Sequence, residues 1–244
     1  MMNTQNAQKS NKKKLIVFTG AGVSAESGIK TFRGSNGLWE EHKIEDVATL
    51  DGWHKNKKLV LNFYNQRRKQ LLAAEPNQAH YFLAELETRF DVTIITQNID
   101  NLHERAGSKN VVHLHGELMK SRSTSDENLI FDIVGSELNL GDLCPKGSQL
   151  RPHIVWFGEA VPMMHTAVDY VIGADIFCVI GTSLAVYPAA SLIHYVSSTT
   201  KIYLIDPNPP DNLNSEITVI KDIATVGVKK FVEILFNVLE LKKK

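Results

Sequence analysis

The chain has 244 residues, with 27 Lys and Arg against 27 Asp and Glu, so its formal net charge is zero. A neutral chain exerts no general pull on nucleic acid or on an anionic membrane, and any charged ligand must be recognised locally. Two distant cysteines, Cys144 and Cys178, exclude a disulfide framework and fit a reducing compartment.

Residues 1–13 read as a disordered polar tail. The stretch lacks the apolar run of a secretory signal and the arginines of a transit peptide, and no later run approaches membrane-spanning length, so a cytoplasmic protein is expected. Structure begins with the apolar run Leu15–Phe18, and similar runs recur at Val92–Ile95, Val111–Leu114, Ile176–Ile180 and Ile202–Ile205. Short continuous apolar runs suit strands buried on both faces of a parallel sheet. Helical spacing fills the intervals. Pro76 to Phe90 places Tyr81, Phe82, Leu83 and Leu86 on a helix with Pro76 in its first turn. Val228, Phe231, Val232, Leu235, Phe236 and Leu239 form a C-terminal helix. This alternation predicts an α/β fold, a Rossmann-like parallel sheet with helices on both faces. Residues 38–75, with an amphipathic helix over Lys58–Leu72, and the polar stretch 117–149 break it. Both read as insertions that build a second, smaller lobe, the large lobe taking about 14–37, 76–116 and 150–244.

Gly20-Ala21-Gly22-Val23-Ser24-Ala25 follows the first strand directly, where glycines let a backbone approach a pyrophosphate at a helix N-terminus. The same pattern also serves a tight turn that binds nothing. The acidic residue expected about twenty positions later in a dehydrogenase is not evident, Glu40, Glu41 and Glu45 lying in a different segment. Asn98 and Asp100 follow the run Val92–Ile95, at the carboxyl edge where open α/β sheets bind ligands. His113 and His115 alternate along one extended segment, so only one can face a site.

The blocks Gly20–Gly34, Thr96-Gln97-Asn98-Ile99-Asp100, His115-Gly116, Val155-Trp156-Phe157-Gly158-Glu159 and Gly181-Thr182-Ser183 together resemble the sirtuins, in family order over most of the chain from Leu15 onward. The resemblance implies an NAD-dependent protein-lysine deacylase that yields free lysine, nicotinamide and O-acyl-ADP-ribose. It carries NAD contacts to Gly20, Ala21, Gly22 and Ala25, to the loop residues Phe32 and Arg33, to Gln97, Asn98, Ile99 and Asp100, to Gly181, Thr182 and Ser183, and to Asp206 and Ala224. Catalytic roles fall on Asn98 and Asp100 at the nicotinamide and on His115 as general base, His113 being structural. Asp206 stands where sirtuins commonly have an Asn, and a carboxylate accepts ribose hydroxyls equally well. Val155, Phe157 and Gly158 would pair with an extended substrate peptide. Tyr64 and Arg67 share a helix face and resemble the sirtuin class that removes succinyl and malonyl groups, the guanidinium gripping the acyl carboxylate; acetyl-lysine is the other substrate.

The four zinc cysteines usual in sirtuins are reduced to Cys144, with Ser123, Asp126 and Gly147 at the matching positions, so no zinc is expected. The expected partners are acylated protein lysines, without nucleic acid or membrane. Two alternatives share the NAD site: a protein ADP-ribosyltransferase and a non-enzymatic NAD-sensing module.

Overall fold

A computed structural model describes residues 12–30, 42–182, 184, 186–210 and 213–241. The expected tail lies largely outside them. In chain order the elements are β1 (Lys14–Thr19), α1 (Ile44–Val47), α2 (Leu50–Lys55), α3 (Lys57–Ala73), α4 (Gln78–Glu85), β2 (Asp91–Thr96), α5 (Leu102–Arg105), β3 (Val111–His113), β4 (Gly116–Ser123), β5 (Ile130–Asp132), β6 (Leu150–Ile154), α6 (Met164–Ile172), β7 (Ile176–Ile180), β8 (Lys201–Ile205), β9 (Ile217–Ile220) and α7 (Ala224–Leu241).

Six strands form one parallel sheet in the order β3-β2-β1-β7-β8-β9. Its central strands are buried on both faces, as their unbroken apolar runs require. In β1, Leu15 and Val17 enter a core shared with α4 and α7, while Ile16 and Phe18 enter the opposite core beneath α6. The Rossmann-like expectation thus holds. The chain leaves β1 toward β2 and β3, then returns to the other flank of β1 as β7. That reversal places a crevice at the carboxyl ends of β1, β2 and β7, the usual ligand position in such sheets.

The second lobe carries a three-stranded antiparallel sheet, β5-β4-β6, together with α1, α2 and α3. Strand β6 begins at Leu150, where the sequence reading resumed the large lobe, yet it pairs with β4, so the small sheet runs on to Ile154. Helix α3 differs from a simple amphipathic helix because its buried face carries Asn65, Arg67 and Arg68. Arg68 is wholly buried and satisfied by the carbonyls of Ser136 (3.0 Å) and Leu118 (3.3 Å) and by the Asn65 side chain. Burying a guanidinium is tolerable only with its donors paired. The helix after Pro76 starts two residues later than expected, at Gln78. Asn77 caps it, its side chain accepting from Ala79 N–H at 2.9 Å while His80 Nδ1 accepts from Asn77 N–H at 3.2 Å. No helix among the described residues is long and apolar enough to cross a membrane.

Candidate functional site

The loop after β1 is not the start of an α-helix. It makes two 3₁₀ turns, Ala21–Val23 and Ala25–Ser27, ended by Gly28 at φ +83°. Its first glycines are consumed by packing. Gly20 N–H donates to Ile180 C=O at 3.0 Å and Gly22 N–H to Gly181 C=O at 2.9 Å. A Cβ on Gly22 would lie 2.6 Å from Gly181 Cα, and one on Gly20 would lie 2.6 Å from Thr182 Cβ. The β1 and β7 loops therefore meet backbone to backbone, with Ala21 left facing the crevice.

The next loop, after β2, is fixed from every side. Asn98 N–H donates to Thr96 Oγ1 (3.0 Å), and its side-chain amide donates to Gly20 C=O (3.2 Å) and Ser24 Oγ (3.1 Å). Ser24, itself buried, donates to Asp100 Oδ2 at 3.0 Å. Burial pushes the Asp100 carboxyl above its ordinary value, against the opposing bonds from Leu102 N–H and Ser24. Gln97 turns the other way, its amide donating to Thr182 Oγ1 at 2.9 Å. Ser24 was not singled out from the sequence, although it lies inside the glycine block; only its bonds to Asn98 and Asp100 reveal it as part of the site.

Both histidines brace this loop. Strand β3 ends at His113, and His115 sits in the turn that follows. His115 Nδ1 lies 2.9 Å from Gln97 C=O, and His113 Nδ1 lies 3.0 Å from Asn98 C=O. A carbonyl only accepts, so Nδ1 of His115 carries the proton and Nε2 keeps the lone pair. Burial lowers the His115 pKa, opposed by the Gln97 bond. Gly116 at φ +81° would drive a Cβ to 2.1 Å from His153 C=O, so only glycine can follow His115 here.

A narrow cleft, partly open to solvent, gathers Ala21, Ser24, Ile29, Asn98, Ile99 and Asp100 from the large lobe with Arg67, Gln70, Leu71 and Leu118 from the small one. Arg67 is buried, 5.7 Å over the Phe63 ring. Burial lowers its pKa, while the charges of Tyr64 and Asp100 resist that. Tyr64 is beside Arg67 but stands outside the cleft's lining. Its hydroxyl accepts from Trp156 Nε1 at 2.9 Å, and burial pushes its pKa up to about 12. Trp156 also stacks under the Arg151 guanidinium at 3.4 Å, and its N–H donates to Glu159 Oε2 at 2.8 Å. Glu159 is in turn held by Arg151 at 2.8 Å and Arg122 at 2.9 Å.

In residues 155–158, Val155 is half-buried and Trp156 buried, while Phe157 and Gly158 are exposed. Val155 N–H is committed to His115 C=O and Phe157 N–H to Ala48 C=O, each at 3.0 Å. Phe157 is half exposed, and Gly158 takes φ +88° with open space about its Cα. Further along the sheet edge, Asp206 follows β8 and spends Oδ1 on Asn208 N–H at 2.8 Å. The Ala224 side chain is packed into the core under α7, leaving only its backbone to meet a ligand. Ala25 lies exposed in the second 3₁₀ turn. Phe32, Arg33 and Ser183 lie outside the described residues.

At the positions matching zinc cysteines, Cys144 Sγ donates to Ser123 Oγ at 3.2 Å, Asp126 pairs with Lys146 at 2.8 Å, and Gly147 N–H donates to Cys144 C=O at 2.8 Å. Ser125 joins Ser123 and Ser148 at 3.2 and 2.7 Å. Among the described residues no group of three or more His, Cys, Asp or Glu is placed to hold a metal. The tip of the small lobe is knit by hydrogen bonds.

Residues 20–188 match the model of the Sir2 family. An NAD-dependent protein deacylase of Bacteroides thetaiotaomicron is 55% identical over 229 residues, covering 91% of this chain and 98% of that protein. One of Helicobacter pylori is 57% identical over 195 residues, 80% of this chain and 85% of that one. Among solved structures, a Sir2 homologue in complex with NAD superposes with a TM-score of 0.82 at 40% identity, over 94% of this chain and 91% of that chain. A Sir2 bound to a p53 peptide and NAD+ gives 0.75 at 30% identity, over 91% and 93%. The parallel sheet with its crevice at the β1–β7 reversal, the polar loop after β2 and these likenesses have one reading: the chain belongs to the Sir2 family.

Proposed function

We propose that this protein is an NAD-dependent protein-lysine deacylase with a preference for acidic acyl groups, succinyl and malonyl. One observation carries the preference: a buried guanidinium, Arg67, lines the same cleft as Asn98, Ile99 and Asp100. A guanidinium at the cleft can grip an anionic ligand, since a carboxylate accepts two parallel N–H bonds from it. Tyr64 supports Arg67 from the side. Its oxygen already accepts from Trp156, leaving its O–H to donate.

The residues fit NAD. Asn98 and Asp100 border the cleft with polar atoms at the sheet's carboxyl edge, and the interlocked β1 and β7 loops present Ala21 with Gly20, Gly22, Gly181 and Thr182 around it. Asn98, Ile99 and Asp100 would hold the nicotinamide end; Gly20–Gly22, Ala25, Gly181 and Thr182 the phosphates; Asp206 and the backbone at Ala224 the adenosine end. Phe32, Arg33 and Ser183 belong to the same proposal on the strength of the family motif. Bound NAD supplies an electrophilic sugar carbon and a leaving group. The chain supplies orientation and a base: with Nδ1 tied to Gln97 C=O and burial disfavouring the cation, His115 Nε2 is an unprotonated acceptor at neutral pH. Val155, Phe157 and Gly158 offer the substrate peptide an extended edge with Phe157 as an apolar contact.

The test is mass-spectrometric: succinyl-lysine and acetyl-lysine peptides with and without NAD. Faster NAD-dependent loss of succinyl supports the reading. Loss of acetyl alone removes the acidic preference, and no NAD-dependent loss from either removes the activity.

A further inference from the structure

Asn98 is held at three of its polar groups by the large lobe alone, and the third of these groups is held by His113. Its N–H and its amide are committed to Thr96, Gly20 and Ser24, while its carbonyl receives His113 Nδ1 at 3.0 Å. The opposite ring nitrogen, Nε2, lies 2.7 Å from Glu104 Oε1. A peptide carbonyl and a carboxylate both accept only. Both ring nitrogens must therefore donate, and an imidazole with two N–H groups is the cation.

The surroundings agree. The His113 side chain is 8% exposed and Glu104 38%. Glu104 comes from α5. Glu117 and Lys120 face His113 and Glu104 from β4, bonded to one another at 2.9 Å. Asp100 lies across the loop, within reach of the His113 charge. His103, also on α5, is held neutral first by burial, with the neighbouring His113 charge adding to it.

We propose that His113 is a positioning residue whose imidazolium form, clamped between Glu104 and the Asn98 carbonyl, sets the pose of the Asn98 amide in the cleft. Its consequence for turnover rests on the NAD-dependent deacylase reading above. Burial alone would lower the His113 pKa; the Glu104 bond and charge outweigh it and hold the value above the ordinary 6.5. The clamp is therefore complete below 6.5 and is lost as pH rises through the raised value.

Nitrogen NMR of the ligand-free protein reads the clamp directly. The His113 midpoint should lie above 6.5, with both ring nitrogens protonated below it, and the Asn98 side-chain amide resonances should titrate with the same midpoint. In Glu104→Gln that midpoint falls below the ordinary histidine value, because burial then acts without the carboxylate. The alkaline limb of kcat/KM for NAD should move to lower pH with it. Between the wild-type and variant midpoints the loss is on the order of tenfold, the worth of one charge-assisted hydrogen bond. His113→Gln keeps a donor for the carbonyl but cannot titrate, so its Asn98 resonances become independent of pH and the limb disappears. A purely structural role would lower thermal stability without moving the limb. A His113 midpoint at or below 6.5, Asn98 resonances indifferent to its titration, or an unmoved limb in Glu104→Gln would each overturn the proposal. Absence of NAD turnover with the coupled titration intact would remove the deacylase reading and leave the clamp standing.

Discussion

Replacing Gly22 with alanine tests whether the glycine block serves packing or only ligand approach. The added Cβ would lie 2.6 Å from Gly181 Cα and 2.9 Å from Gly181 O. Carbon atoms rest about 3.5–4.0 Å apart, so the two loops must separate by roughly 1 Å. Both contacts are backbone, and neither can swing aside. Overpacking of this kind costs about 1–3 kcal/mol. The separation also stretches the Gly22–Gly181 bond of 2.9 Å out of range, adding about 1 kcal/mol. A total of roughly 2–4 kcal/mol corresponds to a fall of about 4–16 °C in thermal midpoint for a chain of this size. Gly173→Ala is the control: its Cβ would meet the flexible end of Lys14 at 3.5 Å and the Tyr170 and Asp169 carbonyl oxygens at 3.8 and 3.9 Å, all ordinary contacts, and should be close to neutral. Thermal unfolding of both variants, with and without NAD, is the assay. If Gly22→Ala unfolds within about 1 kcal/mol of the control yet loses its NAD-induced shift, the packing argument fails and the glycine serves the ligand.

Arg67→Met should lower kcat/KM for a succinyl-lysine peptide about 10- to 100-fold, the worth of a charged hydrogen bond, while acetyl-lysine turnover changes far less; equal losses on both substrates would refute the pocket. His80 is held near a pKa of about 4, first by burial. Its folded value lies below its unfolded one, so stability is full above pH 6.5 and declines as pH falls toward 4, by about 3 kcal/mol in all. In His80→Gln, which can still cap α4, chemical denaturation at pH 7 and pH 4.5 should show a smaller difference than in the wild type; an unchanged difference would assign the acid lability elsewhere. Prolonged incubation with a strong zinc chelator should leave the thermal midpoint in place, because Cys144 is hydrogen-bonded to Ser123 and Asp126 is paired with Lys146; a drop would reveal a structural metal.

The central strands were legible because β1, β2, β7 and β8 are buried on both faces, which leaves a continuous apolar run in the sequence. Strand β9 was not. At the sheet edge, Thr218 and Val219 are exposed and the run is short. The small sheet was hidden for a different reason. Strand β4 buries Arg122 beside Glu159, and a charge neutralised by a partner 37 positions away is invisible to periodicity. The loop after β2 could be read at once because its polar residues follow a buried strand. Ser24 could not, since a serine in a glycine turn has many uses until its bonds to Asn98 and Asp100 are seen. The helix start expected at Gly20 became two 3₁₀ turns because the chain spends its first amides on Ile180 and Gly181 instead of on a helix.

Trp156 binds three neighbours at once: Glu159 through its amide, Arg151 through its ring face and Tyr64 through its indole N–H. Residues 155–158 and the helix that carries Arg67 thus share one bearing. Tuning one without disturbing the other is mechanically closed to single substitutions at this residue. A substitution at Tyr64 that breaks its bond to Trp156 therefore disturbs residues 155–158 as well.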